Sequence, residues 1–412
     1  MAHYEAWRRT REAARAFWAL LVTAATVGGA SCGEARSFGD GAGEAGHGGQ
    51  ITDEVGGSTG GEDADSGGTQ GGEGQDPGRG GAGPDSAGDA GGGALSIGGA
   101  EAAAGAGGEG SECAATSRQC AGACLPYSQQ CSCSGLGRIC GAALNENCCE
   151  RPSVPGGTFN RANDSAYPAT VSAFLLDRFE VTVGRFRAFV NAGFSTRDAP
   201  PSPGAGANAG NSADVGWDSG WNQFLPVSKA ELESSLENCP WSGWTAGGGD
   251  SLPMTCVNWY LAQAFCIWDG GRLPTEAEWN FAAAGGGGAD GQRYYPWSSP
   301  PSDETLNNTY AVYQTSAAAA VGSRSPKGDA KWGHADMAGN AGEIVIDAFT
   351  DLPSCTGAKR DCANLADTPA HEAVMRGGYF TNFTSYTTMA RSYQDKQVGW
   401  FAQGFRCAYN SK

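Results

Sequence analysis

Ten residues constrain this chain more than any other stretch: Gly270-Gly271-Arg272-Leu273-Pro274-Thr275-Glu276-Ala277-Glu278-Trp279. They stop one helix and start another. The paired glycines can take the left-handed conformation that ends a helix. Thr275 and Glu278 form a Thr-x-x-Glu capping box, in which each side chain satisfies a backbone donor at the next helix start. Upstream, Asn258 to Asp269 reads as a helix with Trp259, Ala262, Phe265 and Cys266 on one side. Downstream, the helix capped by Thr275 carries Ala277, Trp279, Phe281 and Ala282. Another helix is predicted from a Thr182 cap to about Ala192, burying Val183, Phe186, Phe189 and Val190, with Gly193 as its stop. Val171, Ala173 and Leu175 alternate with Ser172 and Phe174, which predicts a strand. The rest of the chain after Pro155 is rich in Gly, Ser, Asn and aromatics and offers short strands at best. The predicted class is α+β with much irregular structure.

The chain before Pro155 differs in kind. Of 66 glycines, 30 lie between Gly33 and Gly110, where 14 acidic residues face only Arg36 and Arg79. So few large apolar groups cannot offset the entropy of ordering. Residues 32–110 therefore read as a disordered acidic linker, spanning on the order of 50 Å as a flexible chain. The net charge of −17 argues against a nucleic-acid partner. Before the linker, Arg8, Arg9, Arg11 and Arg15 precede an apolar run from Ala16 to Val27 and the small residues Gly28 to Ser31. This is the pattern of a signal peptide over 1–31, and the run is short for a membrane span. Cys32, directly after Ala-Ser, resembles the lipobox of bacterial lipoproteins, with Gly29 where that pattern usually has leucine. The resemblance implies a lipid on Cys32 and an exported, membrane-anchored protein of a bacterial cell envelope. The alternative is an ordinary signal peptide that leaves Cys32 as a free thiol.

Cysteine usage agrees with export. There are 15, and without Cys32 the remaining 14 can pair completely. Cys113, Cys120, Cys124, Cys131, Cys133, Cys140, Cys148 and Cys149 fall within 37 residues of mostly small, polar character. Such a segment buries little and needs staples, so a disulfide module is expected over 111–150. A zinc cluster using Cys131, Cys133, Cys148 and Cys149 is the alternative, disfavoured by the lack of a paired C-x-x-C spacing. Connectivity within the eight stays open.

Arg272 to Trp279 belongs to a longer series. Asp177-Arg178-Phe179-Glu180-Val181-Thr182, Val257-Asn258-Trp259 with Ala262 and Phe265-Cys266, and Tyr295-Pro296-Trp297 are followed by Asp336-Met337-Ala338-Gly339-Asn340 with Glu343, Arg376-Gly377-Gly378 and Gly404-Phe405-Arg406-Cys407. In this order the motifs resemble the sulfatase-modifying-factor family, the formylglycine-generating enzymes and their relatives, over roughly 153–412. The resemblance implies a fold related to C-type lectins and a Cys266–Cys407 disulfide. Cys355 and Cys362 then suit a local clip, and Cys239–Cys256 follows by elimination.

Active members oxidise a sulfatase cysteine to formylglycine with copper and oxygen, holding Cu(I) on two cysteines just after Arg-Gly-Gly. Here the aligned positions are Asn382 and Thr387, Tyr379 stands at a serine, and no cysteine occurs between Cys362 and Cys407. Neutral oxygen donors do not replace two thiolates for Cu(I). Copper is therefore not expected. The domain is read as a catalytically degenerate binder of a peptide, glycan or other ligand through the family's cleft, with Trp217, Trp221, Trp241, Trp244, Trp297, Trp332 and Trp400 as aromatic candidates. The alternative is an oxygen-dependent oxidoreductase that forms formylglycine with another ligand set. His334 and His371 are too few for a three-histidine iron site. The resemblance also implies calcium on the side chains of Asp336 and Glu343 and the carbonyls of Gly339 and Ala341, since hard oxygens in a tight turn suit Ca²⁺. The alternative there is a capped turn and a surface pair.

Overall fold

The structure, a computed structural model, describes residues 117–120, 123–126, 129–244, 249–288, 291–352, 360–366, 371–381 and 386–411. All lie in one compact unit, Glu101–Lys412. The expected signal peptide and linker, and the sites at Cys32, Cys113, Cys355 and Asn382, fall outside the described residues.

Four helices carry the side-chain caps that their sequences offer. Helix α1 is Val183–Asn191, α2 is Lys229–Glu237, α3 is Trp259–Trp268 and α4 is Glu276–Ala284. Thr182, Ser228, Asn258 and Thr275 each accept a backbone N–H three residues on. Such a cap contributes about 1 kcal/mol. The Thr275 capping box is complete, and Glu278 also clamps Arg272 at 2.6 and 2.7 Å. Helix α2 was not anticipated, although Ser228 and Glu231 stand at capping-box spacing. The two glycines before Arg272 do different work. Gly270 is left-handed at φ 89°, whereas a Cβ on Gly271 would sit 2.4 Å from the Ala408 carbonyl. None of the described helices is long and apolar enough to cross a membrane.

The central sheet has four strands in the order Ser392–Asp395, Glu372–Arg376, Gly342–Ala348, Gln403–Gly404. Its first two pairings are antiparallel and its last is parallel. Every residue of Gly342–Ala348 is buried. Successive side chains of a strand face opposite ways. Ile344 and Ile346 enter a core with Phe186, Phe189, Phe265 and Phe405, while Val345 enters a second core with Trp279, Phe281 and Phe159. A strand buried on both faces shows no polar alternation, which hid this one from periodicity.

The strand expected around Val171–Leu175 is two. Pro168–Val171 pairs with Gly157–Asn160 as a hairpin, and Phe174–Leu176 joins a separate sheet with Ala408–Asn410 and Ser153–Val154. At the break, Asp361 accepts hydrogen bonds from the Ser172 backbone N–H (2.5 Å) and hydroxyl (2.7 Å). The inward phase slips by one, so Phe174 and Leu176 are buried and Ala173 is exposed.

Disulfides join Cys120–Cys131, Cys133–Cys149, Cys140–Cys148, Cys239–Cys256 and Cys266–Cys407. The last fastens α3 to the C-terminal segment across 141 residues. On the chain-entropy view it stabilises by roughly 5 kcal/mol. Cysteines 131, 133, 148 and 149 are thus spent on disulfides and not on zinc. The cysteine-rich module is bonded into the domain that follows it. Gln130 donates to Asp177 and Asp269, and Ser132 donates its backbone N–H to Asp269. Buried Arg185 ties Ser132, Asp177 and Asp269 together. A segment with so little core of its own borrows the domain's.

Candidate functional site

The family-like motifs converge on one buried frame. Arg406 is fully buried and all five of its N–H donors are used. Two go to Glu343, both at 2.6 Å, and the others to the carbonyls of Asp177, Arg178 and Ala335. Glu343 also accepts from the Trp279 indole at 2.8 Å. Asn340, left-handed at φ 60°, donates to Glu180 at 2.7 Å and accepts from the Ala319 N–H. Glu180 accepts from the Ala341 N–H as well. Burial, with Asp336 and Glu343 close by, holds the Glu180 carboxyl well above the usual carboxylate range. Burial likewise pushes Asp336 up to about 6. His334 is buried beside Arg406 and pushed down to about 3, so it stays neutral.

Against this frame lie the described residues 376–381 and 386–391. Arg376 lies 5.2 Å over the Trp279 ring and donates to the carbonyls of Thr388, Met389 and Ala390. Burial pulls it down to about 10 despite nearby Glu276. Phe380 donates its N–H to the Asn340 carbonyl, joining loop to frame. The Tyr386 hydroxyl reaches across to the Tyr379 carbonyl at 3.0 Å. Tyr379 packs edge-on against Trp400 at 4.7 Å, Trp400 against Phe401 at 4.7 Å, and Phe401 against Trp241 at 5.1 Å. At the other end Tyr386 meets Tyr313 at 5.5 Å. The segment is thus flanked by two aromatic clusters.

The expected site residues are only partly brought together. Thr387 is half-buried, and its carbonyl accepts the Ala390 N–H. Every described cysteine is disulfide-bonded, so no described thiolate stands near this loop. The side chains of the calcium set are engaged by the frame itself: Glu343 accepts from Arg406 and Trp279, and Asp336 accepts the Gly322 N–H at 2.5 Å. Among the described residues no group of three His, Cys, Asp or Glu side chains is arranged to hold a metal. The surface-pair alternative for Glu343 fails, because the pair is buried.

The candidate tryptophans also separate. Trp217, Trp244 and Trp297 are buried and Trp221, Trp332 and Trp400 half-buried, whereas Trp241 is 53% exposed. Trp241 sits at φ 63°, two residues after the Cys239–Cys256 bridge. A left-handed backbone is costly for a bulky residue. Phe401, which links Trp241 to Trp400, was not singled out from sequence. Its place beside Trp400 was the available signal.

Comparison with known proteins gives the frame its name. Residues 141–411 match the sulfatase-modifying factor enzyme 1-like domain. The formylglycine-generating enzyme of Thermomonospora curvata is 28% identical over 300 residues, covering 62% of this chain and 92% of that protein. The mouse inactive C-alpha-formylglycine-generating enzyme 2 is 32% identical over 169 residues, 35% of this chain and 50% of the relative. PvdO from Pseudomonas aeruginosa aligns with a TM-score of 0.43 and 19% identity, covering 64% of this chain and 95% of that one. The chain belongs to the sulfatase-modifying-factor family of formylglycine-generating-enzyme-like proteins.

Proposed function

We propose that this is a catalytically degenerate member of the family that binds a peptide or glycan and is displayed from a membrane by a lipid on Cys32. One observation carries the loss of chemistry: every described cysteine is locked in a disulfide, and no cysteine lies between Cys362 and Cys407. Cu(I) needs soft thiolate ligands. Tyr379 and Thr387 offer a phenol and a hydroxyl, and Asn382 an amide. The binding reading is supported by the surface of Trp241, Phe401, Trp400 and Tyr379 beside the same loop. Aromatic faces with a few polar groups suffice for recognition. Complete pairing of the described cysteines also suits an oxidising compartment, as the signal-like N-terminus requires.

The test uses the full chain. Incubated aerobically with copper and a Cys-x-Pro-x-Arg peptide, it should leave the thiol unchanged by mass spectrometry. Aldehyde above a metal-only control overturns the degenerate reading. Arrayed neutral glycans and peptides should retain wild type and not Trp241→Ala. Mass spectrometry of the mature N-terminus should find acylated Cys32.

A further inference from the structure

The cysteine-rich module carries a cleft of about 280 Å³. Gln129, Gln130, Cys133, Asn147, Cys149 and Arg151 are among its walls. The volume lies near the lower end of small-molecule sites. Cys133 and Cys149 are bonded to each other and both are half-buried, so one wall of the cleft is a disulfide. The Cys120–Cys131, Cys140–Cys148 and Cys266–Cys407 bridges are buried.

One buried atom lacks a protein partner as long as this bridge stands. Gln130 is 4% exposed. Its amide nitrogen donates to Asp177 and Asp269, both at 3.1 Å, and to the Tyr409 hydroxyl at 2.6 Å. Two carboxylates only accept, which fixes the amide, and its oxygen faces the Cys133 sulfur at 3.6 Å. A disulfide sulfur has no proton to give, so that contact is not a hydrogen bond. No other described donor is bonded to this oxygen. Buried polar atoms are nearly always paired, and a thiol at Cys133 supplies the missing proton. Ser132 serves the same sulfur. Its hydroxyl accepts from Arg185 at 2.9 Å and lies 3.7 Å from Cys133 Sγ, so its own proton can turn to that sulfur. The surroundings therefore suit Cys133 as the sulfur that leaves and Cys149 as the one attacked.

We infer that the Cys133–Cys149 bridge exchanges with a small anionic thiol bound in this cleft. The thiolate of the ligand attacks Cys149 Sγ and forms a mixed disulfide with it. The Cys133–Cys149 bond breaks, and Cys133 leaves with the electron pair, takes a proton from water and donates it to Gln130 Oε1. Return attack by Cys133 on Cys149 restores the bridge and releases the ligand as its thiolate, so no further oxidant or reductant enters. Arg151 sets the charge of the ligand. It is the charged residue of the wall, held 4.6 Å over the Tyr409 ring, and neighbouring Glu150 is paired with Arg178. A nearby cation favours thiolates. Behind Gln130, Asp177 and Asp269 are paired with Arg185.

The probe is glutathione, incubated with the oxidised full chain. After quenching with N-ethylmaleimide and digestion, mass spectrometry should find glutathione on Cys149 and the maleimide on Cys133. This adduct should form at least about tenfold faster than any at Cys239–Cys256, a bridge that is also half-buried. Cysteamine is the cationic control, with each thiol scaled to its rate with a small linear disulfide. It should react roughly fivefold more slowly than glutathione, and Arg151→Gln should erase that preference. No adduct at Cys149, or equal reaction at Cys239–Cys256, overturns the site. Glutathione on Cys133 with maleimide on Cys149 overturns the assignment of the leaving sulfur. Equal scaled rates for the two thiols overturn the ligand class.

Discussion

The frame beneath the candidate site and the loop above it follow opposite rules. In the frame, Glu180, Trp279, Asn340, Glu343 and Arg406 are almost wholly buried, and each bonds a residue from a distant motif. In the loop, Tyr379 and Thr387 are half-buried, and among the described residues their partners are aromatic rings and local backbone. The family signature is kept where burial demands paired charges, whereas the loop lies in a stretch without a cysteine, between Cys362 and Cys407. A signature of this kind reports a fold and not a reaction.

Four measurements can break that contrast. Glu343→Ala should cost about 3–5 kcal/mol by denaturant unfolding, because it strands a buried arginine. A cost near zero would mean the frame is not held by charge. Asp336→Asn should have a smaller, pH-dependent effect. The folded pKa of Asp336 is raised from 3.8 to about 6, so between those values the folded state binds more protons than the unfolded. The benefit of its protonated form is complete below the lower value and lost as pH rises through the upper one. Wild type should therefore lose about 1–3 kcal/mol relative to Asp336→Asn across that window and no more above it. Asn keeps an acceptor for the Gly322 N–H and tolerates φ 56°. A pH-independent difference would sink the buried-acid account. Thr387→Ala should change stability by less than about 0.5 kcal/mol; a cost like that of Glu343→Ala would make the loop part of the frame. Chelation with EDTA should leave the melting temperature unchanged, because a metal that bound only the native state would raise it by mass action. A lowered value would restore a calcium role to the Asp336–Glu343 turn.

Much of the frame was legible in sequence because its signals are local. Thr182, Asn258 and Thr275 cap helices through backbone donors three residues away, and Gly193 and Gly270 end helices because little else tolerates a left-handed turn. Helix α2 carried the same signal at Ser228. The Gly342–Ala348 strand did not, since burial on both faces erased its alternation. The break at Ser172–Ala173 depends on Asp361, which lies 189 residues away along the chain.

What the sequence by itself determined was the family, the caps and the lack of cysteines between Cys362 and Cys407, for these are properties of residue identity and short spacing. The partners of Glu343 were decided only by tertiary structure. An isolated Asp-Met-Ala-Gly-Asn-Ala-Gly-Glu reads as a set of oxygen donors for calcium. The arrival of Arg406 and Trp279 from other motifs turns its glutamate into half of a buried ion pair. Exposure of Trp241 was decided in the same way. The tryptophans are alike in sequence, and only the surrounding packing sets Trp241 apart among the described ones.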